Sequence, residues 1–250
     1  MLTAERRQII LDKLQNEKKV IVSQLSDLFC VSDETIRRDL DYLCKLGFAI
    51  KSYGGAILNE NGNDLPFSVR KAQNSEQKKR IGNLIANLIN DGESIILDAS
   101  TTAVFAAKAL KEKNALKVIT NSIEVMLELS DKPDWTIIGT GGHLVGDYLA
   151  FAGQRAISEI STFYADKLVF SCKGLSSEGI FESNDDFCQV KRAMIKAAKI
   201  KILAVDFSKF DKAAFSKIAN ITDIDMVVTD MQPSDEWVEW LGARGVGLIF

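Results

Sequence analysis

Six short apolar runs, each followed by small polar residues, do most to limit what this chain can fold into. They are Ser94–Leu97, Leu116–Ile119, Trp135–Ile138, Leu168–Phe170, Ile202–Val205 and Met226–Val228. The residues after them are, in turn, Asp98-Ala99-Ser100-Thr101-Thr102, Thr120-Asn121-Ser122, Gly139-Thr140-Gly141-Gly142, Ser171-Cys172-Lys173-Gly174, Asp206-Phe207-Ser208-Lys209 and Thr229-Asp230. Apolar strands alternating with helical patterns predict an open, mostly parallel α/β sheet. Ahead of the first run, Ile81, Leu84, Ile85, Leu88 and Ile89 fall at i, i+3, i+4, i+7 and i+8, the stripe of an amphipathic helix opened by Ser75. Lys78, Lys79 and Arg80 precede that stripe and are candidates for approach to DNA or a ligand phosphate, with a solvated helix face as the plainer reading.

In a parallel sheet the polar strand ends gather at one edge, where ligands bind. Asp98–Thr102 is the most informative of them. A strand, a hydroxyl-rich loop and a helix N-terminus offer an anion backbone N–H groups, hydroxyls and a helix dipole. Ser100, Thr101 and Thr102 would then hold a phosphate; the plainer reading is that one of them caps the helix. Asn121 with its neighbours carries the same two readings. Gly141 and Gly142 suit close backbone approach or a turn. Lys173 and Lys209 supply cations for an anionic ligand, and Asp206 would orient Lys209 or accept from a sugar hydroxyl.

The amino-terminal quarter has a different rhythm. Thr3 is positioned to cap a first helix carrying Ile9, Ile10, Leu11 and Leu14, which Asn-Glu-Lys-Lys at 16–19 ends. Arg6, Arg7, Lys18 and Lys19 are candidates for phosphate contact or for a solvated face. Val20 and Val22 alternate like a short strand, and Ser23 would cap a short helix holding Leu25 and Leu28. Ser32 follows, an N-cap with Asp33 and Glu34 at the positive end of the helix dipole. Val31 and Ile36 have the spacing of a hydrophobic staple. Ile36, Leu40, Leu43 and Leu46 mark one apolar face, and Gly47 stops the helix. Thr35, Arg37, Arg38, Asp41 and Lys45 mark the other. Two short helices in a tight turn, the second with hydroxyl and guanidinium groups near its N-terminus, suit the major groove of DNA. Phe48–Ala56, with Gly54-Gly55, reads as a two-stranded wing.

Charge alone does not announce a nucleic-acid partner. The net charge is −3, and residues 1–57 hold nine Lys/Arg against eight Asp/Glu, so DNA contact must come from local clustering. A homo-oligomer, dimer or tetramer, would multiply the phosphate contacts. Cys30, Cys44, Cys172 and Cys188 show no C-x-x-C spacing, and His143 is the one histidine, so no metal site is expected and four reduced thiols are. No apolar run approaches the roughly 18 residues of a spanning helix, and the first residues lack a signal h-region. A cytoplasmic protein with no membrane partner and no cofactor is expected.

Leu25–Leu40, L-S-D-L-F-C-V-S-D-E-T-I-R-R-D-L, together with Tyr-Gly-Gly-Ala at 53–56, resembles the winged-helix DNA-binding domain of the DeoR family of bacterial transcriptional regulators. Tyr53 stands where that family most often has histidine. Further on, D-A-S-T-T, T-N-S, G-T-G-G, G-I-F, D-F-S-K-F and T-D resemble in order the landmarks of the DeoR-type sensor domain. The resemblance implies a fold similar to ribose-5-phosphate isomerase and binding of a phosphorylated sugar or related metabolite. Carried onto this sequence, it implies DNA contact by Ser32, Thr35, Arg37, Arg38, Lys45, Lys51 and Tyr53. It implies effector contact by Asp98, Ser100, Thr101, Thr102, Asn121, Gly141, Lys173, Asp206 and Lys209.

The expectation is a winged helix-turn-helix at 1–57, a linker at 58–74 whose Pro66–Arg70 end packs on the second domain, and an α/β sensing domain at 75–250. The function expected is that of a DNA-binding regulator, a repressor of a carbohydrate operon, acting on a double-stranded operator under an effector's control. The rival is a sugar-phosphate isomerase-like enzyme using Asp206 and Lys209 as acid and base. Against it stand the lack of an acidic cluster after the fourth run and of any nucleophile–histidine set. A structural adaptor would leave both the basic helix and the polar sheet edge unexplained.

Overall fold

The structure, a computed structural model, describes residues 2–45, 47–58 and 65–250. It divides into two compact units, Met1–Arg70 and Lys71–Phe250.

The first unit begins with α1 (Thr3–Glu17) and β1 (Lys19–Ile21), then α2 (Val22–Phe29) and α3 (Asp33–Lys45), and closes with β2 (Ala49–Ser52) and β3 (Gly55–Leu58). Its core is Ile10, Leu11 and Leu14 of α1, Leu25 of α2, and Ile36, Leu40 and Leu43 of α3, sealed by Val20, Phe48 and Ala56. The wing is three-stranded rather than two-stranded, because β1 pairs antiparallel with β3, Val20 opposite Ala56. Gly55 is where these backbones meet, and a Cβ there would run into the Val20 carbonyl. Two expected caps fall one and two residues away from where they were placed. Leu2, not Thr3, is the N-cap of α1, and Glu5 accepts from its backbone N–H at 3.1 Å. α2 starts at Val22 behind Ile21, so Ser23 lies inside it. Leu28 is exposed. α3 ends as expected: the Gly47 N–H donates to Cys44 and the Phe48 N–H to Leu43, a Schellman pair with Gly47 at φ +78°. Leu46 lies outside the described residues, as do positions 59–64 of the expected linker. The rest of that stretch contains α4 (Phe67–Ala72), whose Val69 joins the core of the first unit.

The second unit opens with α5 (Ser75–Leu88), β4 (Ser94–Leu97), α6 (Thr101–Ala109), β5 (Lys117–Thr120), α7 (Ile123–Leu129) and β6 (Thr136–Gly139). A hairpin of β7 (His143–Val145) and β8 (Ala150–Ala152) leads to α8 (Gln154–Ile160) and β9 (Ala165–Phe170). After β10 (Gly174–Ser176) and β11 (Gly179–Glu182) come α9 (Asp185–Lys196), β12 (Ala198–Ala204) and β13 (Ser216–Ala219). The chain ends through β14 (Met226–Val228), α10 (Asp235–Gly242) and β15 (Gly247–Ile249). The six runs are β4, β5, β6, β9, β12 and β14, and β15 adds a seventh strand whose composition did not advertise it. The order is β15-β14-β12-β9-β4-β5-β6 with every pairing parallel. β10, β11 and β13 form a separate antiparallel sheet.

Strand alternation sorts the side chains to two faces. Leu168 and Phe170 of β9 join a cluster with Ile160 of α8, Phe187, Val190 and Met194 of α9, and Trp237 and Leu241 of α10. Val169, between them, faces the other way. α5, α6 and α7 pack side by side. From β4 the chain winds outward to β5 and β6; from β9 it winds the opposite way, to β12, β14 and β15. The boundary between β4 and β9 is therefore the topological switch point, where open α/β sheets leave a crevice beyond the strand ends.

Candidate functional site

In the first unit, α3 carries four of the seven residues expected at DNA, and a fifth, Ser32, stands just before it. Ser32 caps it, accepting from the Thr35 N–H at 3.3 Å, with the two hydroxyls 3.0 Å apart. Arg37, Arg38 and Lys45 are exposed and Thr35 is half-buried. Arg38 reaches back one turn to Glu34 at 3.2 Å, a solvated pair of small energetic weight. Lys51 of β2 meets Asp41 of α3 at 2.7 Å, and that hydrogen bond and charge raise its pKa above the ordinary lysine value. The contact ties the wing to the helix. Tyr53, in the two-residue turn beside Gly54, is fully exposed. One exposed surface thus combines hydroxyls, guanidiniums, amines and an aromatic ring.

Arg6 and Arg7 do not belong to that surface. Both hold Asp39, a buried residue on the inner side of α3: Arg6 Nε donates to Oδ2 at 2.6 Å and Arg7 Nε to Oδ1 at 2.7 Å. Arg7 also lies over the Tyr42 ring, 3.9 Å from its centre. The pair of arginines clamps α3 to α1. Sequence reasoning missed this, although Asp39 stands in the stripe of Ile36, Leu40 and Leu43.

In the second unit the expected effector residues Asp98, Asn121, Gly141 and Asp206 stand just past the carboxyl ends of β4, β5, β6 and β12, and Lys173 follows β9. Asp98 is buried and bridges the switch point. Its Oδ1 accepts from the Ser100 N–H at 3.0 Å and hydroxyl at 2.6 Å, while its Oδ2 accepts from the Ser171 N–H at 3.2 Å. Ser100 in turn caps α6 by accepting from Ala103 N–H at 3.0 Å. Asp98 is thus the organiser of the loop, and Thr101 and Thr102 begin α6 behind it, at the positive end of the helix dipole.

Beneath this loop lies a buried ammonium that sequence reasoning missed. Lys191 of α9 bonds Glu182 of β11, donates to the Ser171 carbonyl at 2.8 Å and stands 3.4 Å from Asp98 Oδ2. Burial works against its charge, but the facing Glu182 and Asp98 outweigh it and raise its pKa above the ordinary lysine value. An acidic pair therefore does assemble below the fourth run, from Asp98 and a residue eleven positions after Ser171. Cys172 is buried at the same place, and burial pushes its thiol up to about 12.

Asn121 and Asp206 share a trait. Asn121 donates through Nδ2 to the Phe151 carbonyl at 2.9 Å, and Asp206 Oδ1 accepts from the Ser208 N–H at 3.0 Å and from Asn74 Nδ2 at 3.2 Å. Asn121 Oδ1 and Asp206 Oδ2 are the two buried side-chain polar atoms without a hydrogen-bond partner among the described residues. Buried acceptors of this kind need a donor. Asp206 does not orient Lys209 through its carboxylate: its backbone carbonyl takes the Lys209 N–H at 3.0 Å. Gly141 has φ +61° with open space around it, whereas a Cβ on Gly142 would meet the Ala152 carbonyl at 2.6 Å. Lys173 is exposed, and its backbone N–H is held by the Phe181 carbonyl at 2.8 Å. Lys78, expected in solvent, is buried and donates to the Gln73 carbonyl at 2.7 Å. Among the described residues no helix is long and apolar enough to cross a membrane, and no cluster of potential metal ligands forms.

Comparison with known proteins identifies both units. Residues 6–62 match the DeoR-like helix-turn-helix domain, and residues 73–231 match the DeoR C-terminal sensor domain. The HTH-type transcriptional repressor GlcR of Bacillus subtilis is 36% identical over 100% of this chain and 96% of its own length. The glycerol-3-phosphate regulon repressor of Escherichia coli is 32% identical over 93% of each. Among solved structures, ribose 5-phosphate isomerase A of Methanocaldococcus jannaschii aligns with 55% of each chain at 14% identity and a TM-score of 0.41. With a sensor match that spans more than half of its length and a helix-turn-helix match ahead of it, the chain belongs to the DeoR family of transcriptional regulators.

Proposed function

We propose that this regulator is a repressor of a carbohydrate-metabolism operon, and that a phosphorylated sugar or related metabolite at the β4–β9 crevice weakens its hold on the operator. α3 enters the major groove. Arg37, Arg38 and Thr35 meet bases or phosphates, Ser32 and Lys45 flank them, and Lys51 and Tyr53 of the wing meet the backbone or the minor groove. The winged unit is close to electrically neutral, so a dimer or tetramer in the cytoplasm supplies enough phosphate contacts for firm binding. The protein is a regulator and not an enzyme, in keeping with relatives named as repressors.

The observation that carries the effector assignment is the bridge made by Asp98. It fixes Ser100 on one side of the switch point and Ser171 on the other, beneath the N-terminus of nine-residue α6. An anion there meets Ser100, Thr101 and Thr102, with Lys173 and Lys209 as further cations. Asn121, Gly141 and Asp206 frame the hydroxyl-bearing part of the ligand. Thermal-shift screening of phosphorylated sugars and polyols tests the assignment. A ligand at one hundred times its Kd adds about 2.7 kcal/mol of stability. Thr101→Trp erases the shift; a shift that survives places the phosphate elsewhere.

A further inference from the structure

Several side-chain contacts inside the sensor unit hold the segment by which the chain enters it. Lys71 at the end of α4 pairs with Glu124 of α7 at 2.8 Å. The buried Lys78 holds the carbonyl of Gln73. Asn74 sits at the N-cap of α5 in the left-handed conformation, φ +50°, yet its side chain does not cap the helix. The amide instead donates to Asp206 Oδ1 at 3.2 Å and approaches the Ser208 hydroxyl at 3.4 Å. Asp206 is buried, and its other oxygen, Oδ2, is one of the two unpartnered acceptors of the sheet edge.

We propose that Asn74 is a positioning residue that couples occupancy of the effector site to the segment leading back to the DNA-binding unit. Asp206 has one oxygen on each side of the coupling: Oδ2 awaits a donor, and Oδ1 holds Asn74. A ligand hydroxyl that donates to Oδ2 weakens Oδ1 as an acceptor, which Asn74 shares with the N–H and hydroxyl of Ser208. The bond to Asn74, the longest of the three, gives way first, and the left-handed turn between α4 and α5 loses one of the contacts that hold it. In this state the chain leaves the sensor unit in a different direction, and the operator-competent arrangement is given up. Asparagine suits the role, because it tolerates positive φ while bearing a donor. The coupling rests on the effector site proposed above.

The test needs no identified effector. Asn74→Gly keeps the positive φ and removes the amide. Asn74→Asp keeps size and turn preference but sets an acceptor against Asp206. Both are measured, beside the wild type, for affinity to a genomic duplex selected on the wild-type full-length protein. Each lowers affinity about tenfold, within the roughly 5–150-fold span of allosteric couplings, with the melting temperature unchanged. Asn74→His, which tolerates positive φ and keeps a side-chain N–H donor, retains most of the affinity. Wild-type affinity in both single variants overturns the proposal. So does a loss that tracks a fall in melting temperature and is shared by Asn74→His, since that marks a merely structural contact. A wild-type protein that no phosphorylated sugar stabilises would sink the effector assignment while leaving the Asn74 result to stand by itself.

Discussion

Beneath the recognition helix, one carboxylate is held by two guanidinium groups; beneath the loop after β4, one ammonium faces two carboxylates. The two units thus solve the same problem with opposite charge. Asp39 holds α3 from behind through Arg6 and Arg7, and Lys191 holds the Asp98 loop from behind through Glu182 and Ser171. They differ in their access to water. Arg7 keeps 28% of its side chain exposed, whereas Lys191, Glu182 and Asp98 keep 9% or less. When broken, the clamp behind α3 can rehydrate at Arg7, whereas the clamp behind the Asp98 loop has no such exposed member, and removing a partner from a buried pair costs most where the abandoned charge stays dry.

Lys191→Met is therefore the most damaging change. It strands two carboxylates, and the sensor unit loses toward the upper end of the roughly 3–5 kcal/mol that breaking a buried pair costs, read by urea unfolding at pH 8. At pH 5 the loss is smaller, because one abandoned carboxylate recovers by binding a proton that the unfolded chain holds less firmly, so stability rises as pH falls. In the intact protein the raised Lys191 pKa acts at the other end of the scale. Its contribution is complete below about 10.5, the ordinary value, and is lost as pH rises above it.

Asp39→Ala comes next, at about 3 kcal/mol, since Arg7 turns to water while Arg6 stays behind. Its cost is the same at pH 5 and pH 8, because a stranded guanidinium has no proton to release in that range. Equal pH profiles for the two variants would erase the contrast drawn above. Arg38→Ala touches neither clamp. It leaves the unfolding midpoint in place and weakens operator binding by about 1–3 kcal/mol if it reads a base, or lowers the salt slope by about one if it meets a phosphate. Unchanged affinity in a gel-shift titration removes Arg38 from the interface.

The smallest effect is chemical. At pH 8 a maleimide labels exposed Cys30 first and Cys172 last, because burial holds the Cys172 thiol near 12. Rapid labelling of Cys172, located by peptide mass analysis, means that the packing beneath the Asp98 loop opens readily.

Much of this was legible in the sequence because it follows from local periodicity. Six of the seven strands of the parallel sheet, the amphipathic α5, the Ser32 cap and the Gly47 stop each depend on residues within a turn or two. What escaped depends on partners far along the chain. Asp39 meets Arg6 across 33 positions, and Asp98 meets Ser171 across 73. A local signal for the buried charges did exist. Asp39 falls in the stripe Ile36, Asp39, Leu40, Leu43, and Lys191 in the stripe Phe187, Val190, Lys191, Met194. Lys78 falls in the stripe Lys78, Ile81, Ile85. In each case a charge occupies a position that the 3.6-residue period assigns to the core. The position was visible; the partner that makes burial tolerable was not. β15 was missed for another reason: Gly247, Leu248 and Ile249 are too short a run to separate from loop by pattern.

The walls of the crevice come from strands that are remote from one another in sequence, each contributing one short turn. A change of residue in one turn alters a single side of the cavity and leaves the sheet, the helices and the remaining sides as they were. Descendants of one ancestral regulator could therefore switch nutrients by small independent steps while the machinery that grips the genome stayed untouched.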